Sequence, residues 1–517
     1  MTERTSAVPP AGDSGGDIAA LARGGRTNFF GFLLRLAARL PFLFIAGRFY
    51  GAAELGRFAS ALVVVELIAL VCSIGEKRGL AQRLSEGDHE PPANLIADGL
   101  LVALGLSLIA AAFLYLVPAP LFPSGEYTDL DKLIVLAIPA YALTEIVLAA
   151  QAYRYDIATT VRARAIVEPW TISILAGAFI FVDEIANSGL FMAYLVSIYA
   201  GLVAALWPFF RTYGLPQDWT PHPARMTRMT WRALPLAAAD AIEWGTRRID
   251  ILILGLFAAP AAVGVYYVAQ QVASLPQKLK TSFEPILGPV ITRALKDKDF
   301  KAIARQVCQV GFWITAAQGG IALALGIPGE AVMGLVGPNF VGGTGALGFL
   351  LAAEVVAATA VVSEAALIYM ARLRNMMVSI GTIALQALLT VAAMLAIDAY
   401  GLPELWRAAG AALALMVALG VSSIVKGVML SRLLGEAVNN WRWALVVAAA
   451  AGVLVGQVAI RLPEWAELVF GIPAILAAYG WVIWRRGFGP EDRVLFSRSK
   501  STALNEIPLS PPPGDPR

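Results

Sequence analysis

The stretch "IEWGTRRIDILILGLF", from Ile242 to Phe257, places four charged side chains within a long apolar segment. They belong to Glu243, Arg247, Arg248 and Asp250. An arginine at the centre of a membrane-spanning helix costs about 2.5–3.5 kcal/mol on insertion scales, so such a side chain is not placed against lipid. The stretch therefore predicts a helix whose charged face meets another helix or a water-filled cavity.

The composition of the whole chain is that of a membrane protein. Of the 517 residues, 58% are hydrophobic and only 15% are charged, whereas a soluble protein carries about 25% charged residues. Apolar runs of about 20 residues recur along the chain, which is the length of helix that crosses a bilayer. We therefore predict an all-α polytopic membrane protein, because a large soluble helical domain does not need helices that are apolar on every face.

We predict fourteen transmembrane spans between two disordered cytoplasmic tails, 1–26 and 486–517. The first tail has no apolar core followed by a cleavage site, so it is not read as a signal peptide. The predicted spans are 27–49, 55–76, 94–117, 132–153, 166–182, 188–210, 232–257, 262–286, 306–327, 345–371, 375–397, 406–430, 441–460 and 465–484.

The distribution of Lys and Arg supports this number of spans. With the N-terminus inside, and with residues near a span end counted with the adjacent side, the inner side carries 31 of the 40 basic residues, the outer side carries 5, and 4 lie deeper within spans. Positive residues favour the cytoplasmic side, and one missed span would invert every later loop. Both termini are therefore predicted to be cytoplasmic, in a bacterial inner membrane. The basic inner loop 278–305 is predicted to lie on the anionic inner leaflet.

An internal repeat relates the two halves of the chain at an offset of 208 residues without gaps. Six spans separate the two starts, so the repeats have the same orientation, as transporters use to place a site between two halves. We predict an N-lobe (27–210), a linker (211–231), a C-lobe (232–434) and an extra helix pair (435–485). The aligned pairs are Arg39 with Arg247, Gly47 with Gly255, Gly56 with Gly264, Phe58 with Tyr266, and Glu76 with Glu284.

Three segments resemble the polysaccharide-transport and O-antigen flippase families of the multidrug/oligosaccharidyl-lipid/polysaccharide (MOP) exporter superfamily. They are "GRFYGAAELGRFASALVVVELIALVCSIGEKRGLAQRL" from residue 47, "RRIDILILGLFAAPAAVGVYYVAQQVASLPQKLKTSFEPILGPVITRAL" from residue 247, and "VMGLVGPNFVGGTGALGFLLAAE" from residue 332. The resemblance covers about residues 25–485. It implies a V-shaped bundle of two six-helix lobes, and outward movement of an undecaprenyl-pyrophosphate-linked oligosaccharide.

Charged residues form a stripe on one helix of each predicted lobe. Asp240, Glu243, Arg247 and Asp250 fall within about 80° of a helical wheel, with Arg248 on the other side of Asp240. In span 1, Asn28, Arg35 and Arg39 share about 60°. Arginine holds phosphate through a planar fork and stays charged. The candidate substrate-binding residues are Arg35, Arg39, Arg247 and Arg248.

A structural interpretation of the same charges stays open. Arg247 can instead be held by Glu243, one turn away in the favourable order, and by Asp250. Buried acids in transporters also bind a coupling proton or cation. The candidates for ion coupling or for pairing are Asp240, Glu243, Asp250, Glu354 and Glu364.

Other chemistry has little support in the sequence. Gly343-x-Gly345-x-x-Gly348 spells a dinucleotide fingerprint, but an outer loop rather than a strand precedes it. There is no phosphate-binding loop, and the two histidines are too few for a zinc site. We expect no cofactor, no metal and no nucleic-acid partner. The expected partners are the lipid-linked oligosaccharide, membrane lipids, a coupling cation or proton, and a polysaccharide polymerase.

Two other functions remain open from the sequence. A lipid II flippase of peptidoglycan synthesis also has fourteen spans and cavity arginines, although the match to the polysaccharide families is better. A membrane polymerase or ligase of the same pathway would be an enzyme. We expect a transporter rather than an enzyme, because the short outer loops carry no set of catalytic residues.

Cysteine labelling tests the predicted topology. In a Cys-free background, single cysteines at Ser124, Gly343 and Pro403 should react with an impermeant thiol reagent added to intact cells. Cysteines at Gly87 and Gln217, and at Asp297, should react only after the cells are broken. Labelling of the second set in intact cells would overturn the fourteen-span topology.

Overall fold

The computed structural model describes residues 40–86, 91–154, 156–281 and 284–489, together with Asp492. All the regular secondary structure in these residues is helical, which confirms the predicted all-α class. The predicted tails lie almost entirely outside the described residues, as do Arg35 and Arg39.

The described residues of the first half of the chain form eight helices that we number α1 to α8. A 3-10 turn, Asp131–Leu136, precedes α5, and a π-helical turn, Arg162–Val167, joins α6 to α7. The helices are α1 (40–50), α2 (Gly51–Cys72), α3 (Glu76–Glu86), α4 (Pro92–Leu116), α5 (Ala137–Tyr153), α6 (Ile157–Val161), α7 (Glu168–Phe179) and α8 (Gly189–Tyr213).

The second half contains eleven helices in the described residues, α9 to α19. They are α9 (Pro223–Phe257), α10 (Pro260–Thr281), α11 (Glu284–Lys296), α12 (Phe300–Gly326), α13 (Gly329–Val336), α14 (Thr344–Met370), α15 (Arg372–Ala399), α16 (Leu405–Leu434), α17 (Trp443–Ala459), α18 (Glu464–Ala466) and α19 (Ile472–Val482).

Nine helical segments within the described residues are long and apolar enough to cross a membrane. This confirms a multi-pass membrane protein. Helices α9 and α10 lie on two further predicted spans but carry many polar and charged side chains, and α17 is only 17 residues long. The total of fourteen spans stays a prediction.

A sharp turn separates α1 from α2. Gly51 has φ 84° and ψ 178°, a left-handed conformation that a residue with a Cβ rarely adopts. The aligned position in the second repeat is the connection between α9 and α10, where Ala258 is extended (φ −115°, ψ 154°). Each half of the chain therefore makes the same hairpin with different backbone geometry.

Helices α2 and α10 approach each other closely through two glycines. A Cβ built on Gly56 would overlap the carbonyl oxygen of Pro260 and lie 2.8 Å from the nitrogen of Gly264. A Cβ built on Gly264 would overlap the carbonyl oxygen of Ala52 and lie 3.0 Å from the nitrogen of Gly56. Ala52 and Pro260 are related by the same 208-residue offset as the two glycines. The contact is therefore reciprocal between repeat-related helices.

A second pair of repeat-related glycines also faces the opposite half. A Cβ on Gly47 would lie 2.7 Å from the carbonyl oxygen of Val336, and one on Gly255 would lie 3.1 Å from Ser60 Oγ. Arg48 Nε donates to the carbonyl oxygen of Leu335 at 3.3 Å. These contacts join the two halves at the ends of the helices that we predict to be outside.

The end of the described chain is anchored to α12. The Asp492 carboxylate accepts hydrogen bonds from Trp313 Nε1 (2.9 Å) and Arg442 Nη1 (2.7 Å) and from the backbone N–H of Gly489 (2.9 Å). Burial raises the pKa of this carboxyl, but these hydrogen bonds outweigh burial and hold the pKa below its usual range. The carboxylate thus joins α12 to the segments that flank α17 and α19.

Replacing Gly56 by leucine tests the contact between α2 and α10. The new side chain should force the two backbones apart and destabilise the fold by about 1–3 kcal/mol, the usual cost of overpacking. We expect a lower melting temperature of the purified protein in detergent. Gly105→Leu is the control, because nothing lies within 4 Å of a Cβ at Gly105. Equal melting temperatures for the two variants would contradict the close approach.

Candidate functional site

Two adjoining cavities lie among the helices of the two halves. The first cavity, of about 210 Å³, is lined by residues of α9, α10, α14, α15 and α16. The second cavity, of about 190 Å³, is lined by residues of α1, α2, α7, α8, α9 and α10. Arg248, Gln271 and Ser274 line both cavities and mark the boundary between them.

Arg247 and Arg248 both line the first cavity. Arg248 Nη1 donates to Gln270 Oε1 at 3.0 Å, while the carbonyl oxygen of Arg247 accepts from Gln270 Nε2 at 3.2 Å. One glutamine of α10 thus orients the backbone of one arginine and the side chain of the other. The geometry places two of the four predicted arginines in one cavity, and the other two, Arg35 and Arg39, lie outside the described residues.

Asp250 belongs to a buried network rather than to the cavity wall. Its side chain is fully buried and accepts hydrogen bonds from the Tyr266 hydroxyl, from the backbone N–H of Ile251 (2.9 Å) and from Gln270 Nε2 (3.3 Å). These donors satisfy both carboxylate oxygens. The arrangement favours a structural role for Asp250, since it fixes the position of α9 against α10.

The other two acids of the α9 stripe differ in their surroundings. Asp240 is buried, at 5% exposure, whereas Glu243 is exposed. Both roles that we considered for these acids, ion coupling and pairing, stay predictions.

Glu354 and Glu364 both line the first cavity, and Glu364 has a cationic partner there. Lys426 Nζ lies 3.1 Å from Glu364 Oε2 and donates to Ser379 Oγ at 3.1 Å. The lysine is only 4% exposed, whereas 40% of the Glu364 side chain is exposed. The sequence analysis did not single out Lys426, because it lies near the end of a predicted span and resembles an interfacial lysine.

A second charged cluster lies in the first half of the chain. Arg164 pairs with Glu145 Oε1 (2.5 Å) and with Glu168 Oε2 (2.8 Å), and its guanidinium lies 4.4 Å from the centre of the Tyr141 ring. Glu168 and Glu66 also line the second cavity. The i,i+4 spacing of Arg164 and Glu168 was a usable signal, but Glu145 belongs to another helix and only the fold reveals it.

The charges of the two cavities differ. Among the described residues, three cationic side chains and two carboxylates line the first cavity, and one cation and two carboxylates line the second. The first cavity can hold an anion. No group of three or more His, Cys, Asp and Glu side chains in the described part of the chain is placed to bind a metal ion.

The different solvent exposure of Lys426 and Glu364 predicts which of the two substitutions costs more stability. Glu364→Gln strands a buried ammonium and should cost about 3 kcal/mol of stability, the lower end for a broken buried pair. Lys426→Gln leaves a carboxylate that the cavity can hydrate, and should cost about 1 kcal/mol. The double variant should be more stable than Glu364→Gln alone.

Melting temperatures of the purified variants measure these differences. Glu436→Gln is the control, because Glu436 pairs only with the exposed Lys301 at 4.0 Å and its loss should change little. A Lys426→Gln variant less stable than Glu364→Gln would contradict the assigned burial.

Comparisons with solved structures identify the fold. The chain is similar to an inward-facing multidrug resistance MATE family transporter of the MOP superfamily, with a TM-score of 0.62, 15% identity, and coverage of 82% of this chain and 96% of that chain. It is also similar to the Vibrio cholerae MATE transporter VcmN in the bent form, with a TM-score of 0.55, 14% identity, and coverage of 81% and 98%. These similarities confirm the predicted MOP exporter fold.

A sequence comparison identifies the family. The family model described as "Polysaccharide biosynthesis protein" matches residues 45–316, more than half of the 517 residues. No curated protein sequence matches the chain. The fold is that of the solved MATE transporters. By the family model, the chain belongs to the polysaccharide biosynthesis protein family.

Proposed function

We propose that this membrane exporter is a flippase for an undecaprenyl-pyrophosphate-linked oligosaccharide. It moves the lipid-linked sugar from the inner to the outer leaflet of a bacterial inner membrane, for assembly of exopolysaccharide, capsule or O-antigen. The observation that carries the proposal is the meeting of Arg247, Arg248 and Lys426 in one cavity among the helices. The family and the fold support an exporter of the polysaccharide pathway.

The positive charges of the first cavity can offset the cost of moving a pyrophosphate out of water. The headgroup carries at least two negative charges, and an ion in a medium of low dielectric constant is costly unless opposite charges lie close. Arg247 and Arg248 offer planar forks that bind phosphate oxygens in pairs, and Lys426 adds a flexible point charge. Because Arg248 and Lys426 also have protein partners, the cavity holds its cations in place before the substrate arrives.

The contacts between the halves support access from the cytoplasmic side. The close approach at Gly56 and Gly264 lies at the predicted outer ends of α2 and α10. Arg248 lies nine residues before Phe257, the end of α9, which is about 14 Å along a helix. With the predicted orientation, the contact would cover the site on the outer side, and this supports our proposal of an inward-open state.

Two rival functions differ from the proposal in what they would move or make. A lipid II flippase would use the same cationic cavity with a different sugar, and no feature of the cavity favours it. A polymerase or ligase is disfavoured, because the family and the fold are those of a transporter. We propose that a polymerase is instead a partner that consumes the flipped units, and that a proton or cation drives the transport.

Fractionation of lipid-linked repeat units tests the proposal. Cells that lack the protein should accumulate single units on the cytoplasmic side, because flipping is the step that is lost. Loss of a polymerase or ligase would leave single units on the outer side. Single units outside the cytoplasmic membrane in the deletion strain would overturn the flippase assignment. Accumulation of inner-leaflet lipid II instead of polysaccharide units would favour the lipid II alternative.

The same assay tests Arg247. Arg247→Ala should abolish export while the protein still accumulates in the membrane, and Arg247→Lys should restore export only in part, since lysine keeps the charge but loses the fork. Arg461→Ala, in a predicted outer loop, is the matched control. If Arg247 is a partner of Glu243 instead, the double change Glu243→Gln, Arg247→Gln should export better than Arg247→Gln alone. Near-normal export by Arg247→Ala would exclude a contact with the substrate.

A further inference from the structure

We infer that the second cavity binds the sugar attached to the pyrophosphate, and that it accepts a neutral sugar and rejects a uronic acid. This inference rests on the proposed function and adds to it the class of the sugar. It concerns the part of the second cavity formed by α1, α2, α7 and α8, which lies outside the first cavity, where the phosphate is proposed to bind.

The position of the second cavity suits a group that is covalently attached to the phosphate. Arg248, Gln271 and Ser274 line both cavities, so the two spaces meet at these side chains. A diphosphate held by Arg247, Arg248 and Lys426 would place its own substituent across this boundary.

The charges of the second cavity disfavour another anion. Glu66 and Glu168 line it, and Glu168 shares the single cation Arg164 with Glu145. Among the described residues, three carboxylates of this region thus accompany two guanidinium groups, Arg164 and Arg248, and Arg248 is also proposed to bind the phosphate. A sugar carboxylate here would meet like charges, which costs binding energy and excludes the wrong ligand.

The polar groups of the cavity suit the hydroxyl groups of a sugar. Tyr194 is only 6% exposed and lines the cavity, and its buried hydroxyl has no hydrogen-bond partner among the residues that the structure describes. An unsatisfied buried hydroxyl is costly, and a ligand that donates or accepts there removes the cost. Glu66 and Gln271 add acceptors and donors beside it, and Ser197 adds a hydroxyl. Sugar hydroxyls both donate and accept, so they match this mixed set.

The polyprenyl chain of the substrate does not match the same groups. The Glu66 carboxylate is only partly buried and faces the cavity, and a hydrocarbon chain would remove its water without supplying a hydrogen bond. The aromatic and aliphatic side chains of Phe42, Phe58 and Leu62 form the remaining wall. An apolar wall beside carboxylates and hydroxyls suits a ligand with both C–H and O–H groups.

The test compares three synthetic ligands that share one short polyprenyl pyrophosphate. One carries no sugar, one carries glucose and one carries glucuronic acid, which differs from glucose only at the sixth carbon. Binding to the full-length protein in lipid nanodiscs is measured by isothermal titration calorimetry. We expect the glucose compound to bind at least about tenfold more tightly than the glucuronic acid compound, because the sugar carboxylate would face like charges in the site.

Two variants separate the sugar site from the phosphate site. Glu66→Gln should reduce the ratio of the affinities for the glucose and glucuronic acid compounds several-fold. Glu330→Gln, on the exposed start of α13, should leave this ratio unchanged. Tyr194→Phe should weaken binding of the glucose compound about fivefold, because one hydrogen bond is lost. Neither Glu66→Gln nor Tyr194→Phe should weaken binding of the ligand without sugar.

The outcomes distinguish this inference from the proposed function. If the ligand without sugar binds in an Arg247-dependent way but glucose and glucuronic acid bind equally, the anion site stands and the sugar site is overturned. If Glu66→Gln leaves the ratio of the affinities for the two sugar compounds unchanged, the proposed sugar site is also overturned. If the ligand without sugar does not bind, the proposed function fails and the inference fails with it.

Discussion

The close approach of α2 and α10 at Gly56 and Gly264 is the constraint on which the arrangement of the two halves depends. Each glycine lies against the backbone of the other helix, where any Cβ would overlap a carbonyl oxygen. Lipid supplies no hydrophobic force between membrane helices, so association relies on close packing of small residues. The contact joins equivalent points of two repeats. It therefore sets a pseudo-symmetric axis, and the cavities lie farther along the same helices.

The charged groups depend on that arrangement. Arg248 is costly in a single membrane helix, and both Arg248 and Arg164 are held by side chains of other helices. Gln270 of α10 meets Arg248, and Glu145 of α5 meets Arg164. A buried charge is tolerated only where another helix supplies a polar or charged partner, so each such charge favours one particular packing of the helices. Among the described residues, the first cavity has an excess of cations and the second an excess of carboxylates. This difference is the basis for proposing that the first binds an anion and the second binds hydroxyl groups.

The fold class could be predicted from the sequence, but most side-chain contacts of the candidate site could not. Apolar length and basic loops predicted a multi-pass helical protein, and the offset of 208 residues pointed to Gly56 and Gly264 before their contact was known. The helical wheel grouped Asp250 with Arg247, but Tyr266 and Gln270 hold Asp250 from another helix. Lys426 escaped notice because its burial depends on α14 and α15. Partners that lie on other helices leave no periodic signal in one span.

One helix connects the substrate site to the contact between the halves. On α10, Gly264 packs against α2, Tyr266 and Gln270 bind Asp250, and Gln270 also binds Arg248. Gly264 and Gln270 are six residues apart, which is about 9 Å of helix. Under the proposed function, a ligand that drew Arg248 toward its phosphate would compete with Gln270 for this arginine. The residues proposed to bind the anion share α10 with the contact between the halves, so two arrangements of α10 would differ in affinity for the ligand.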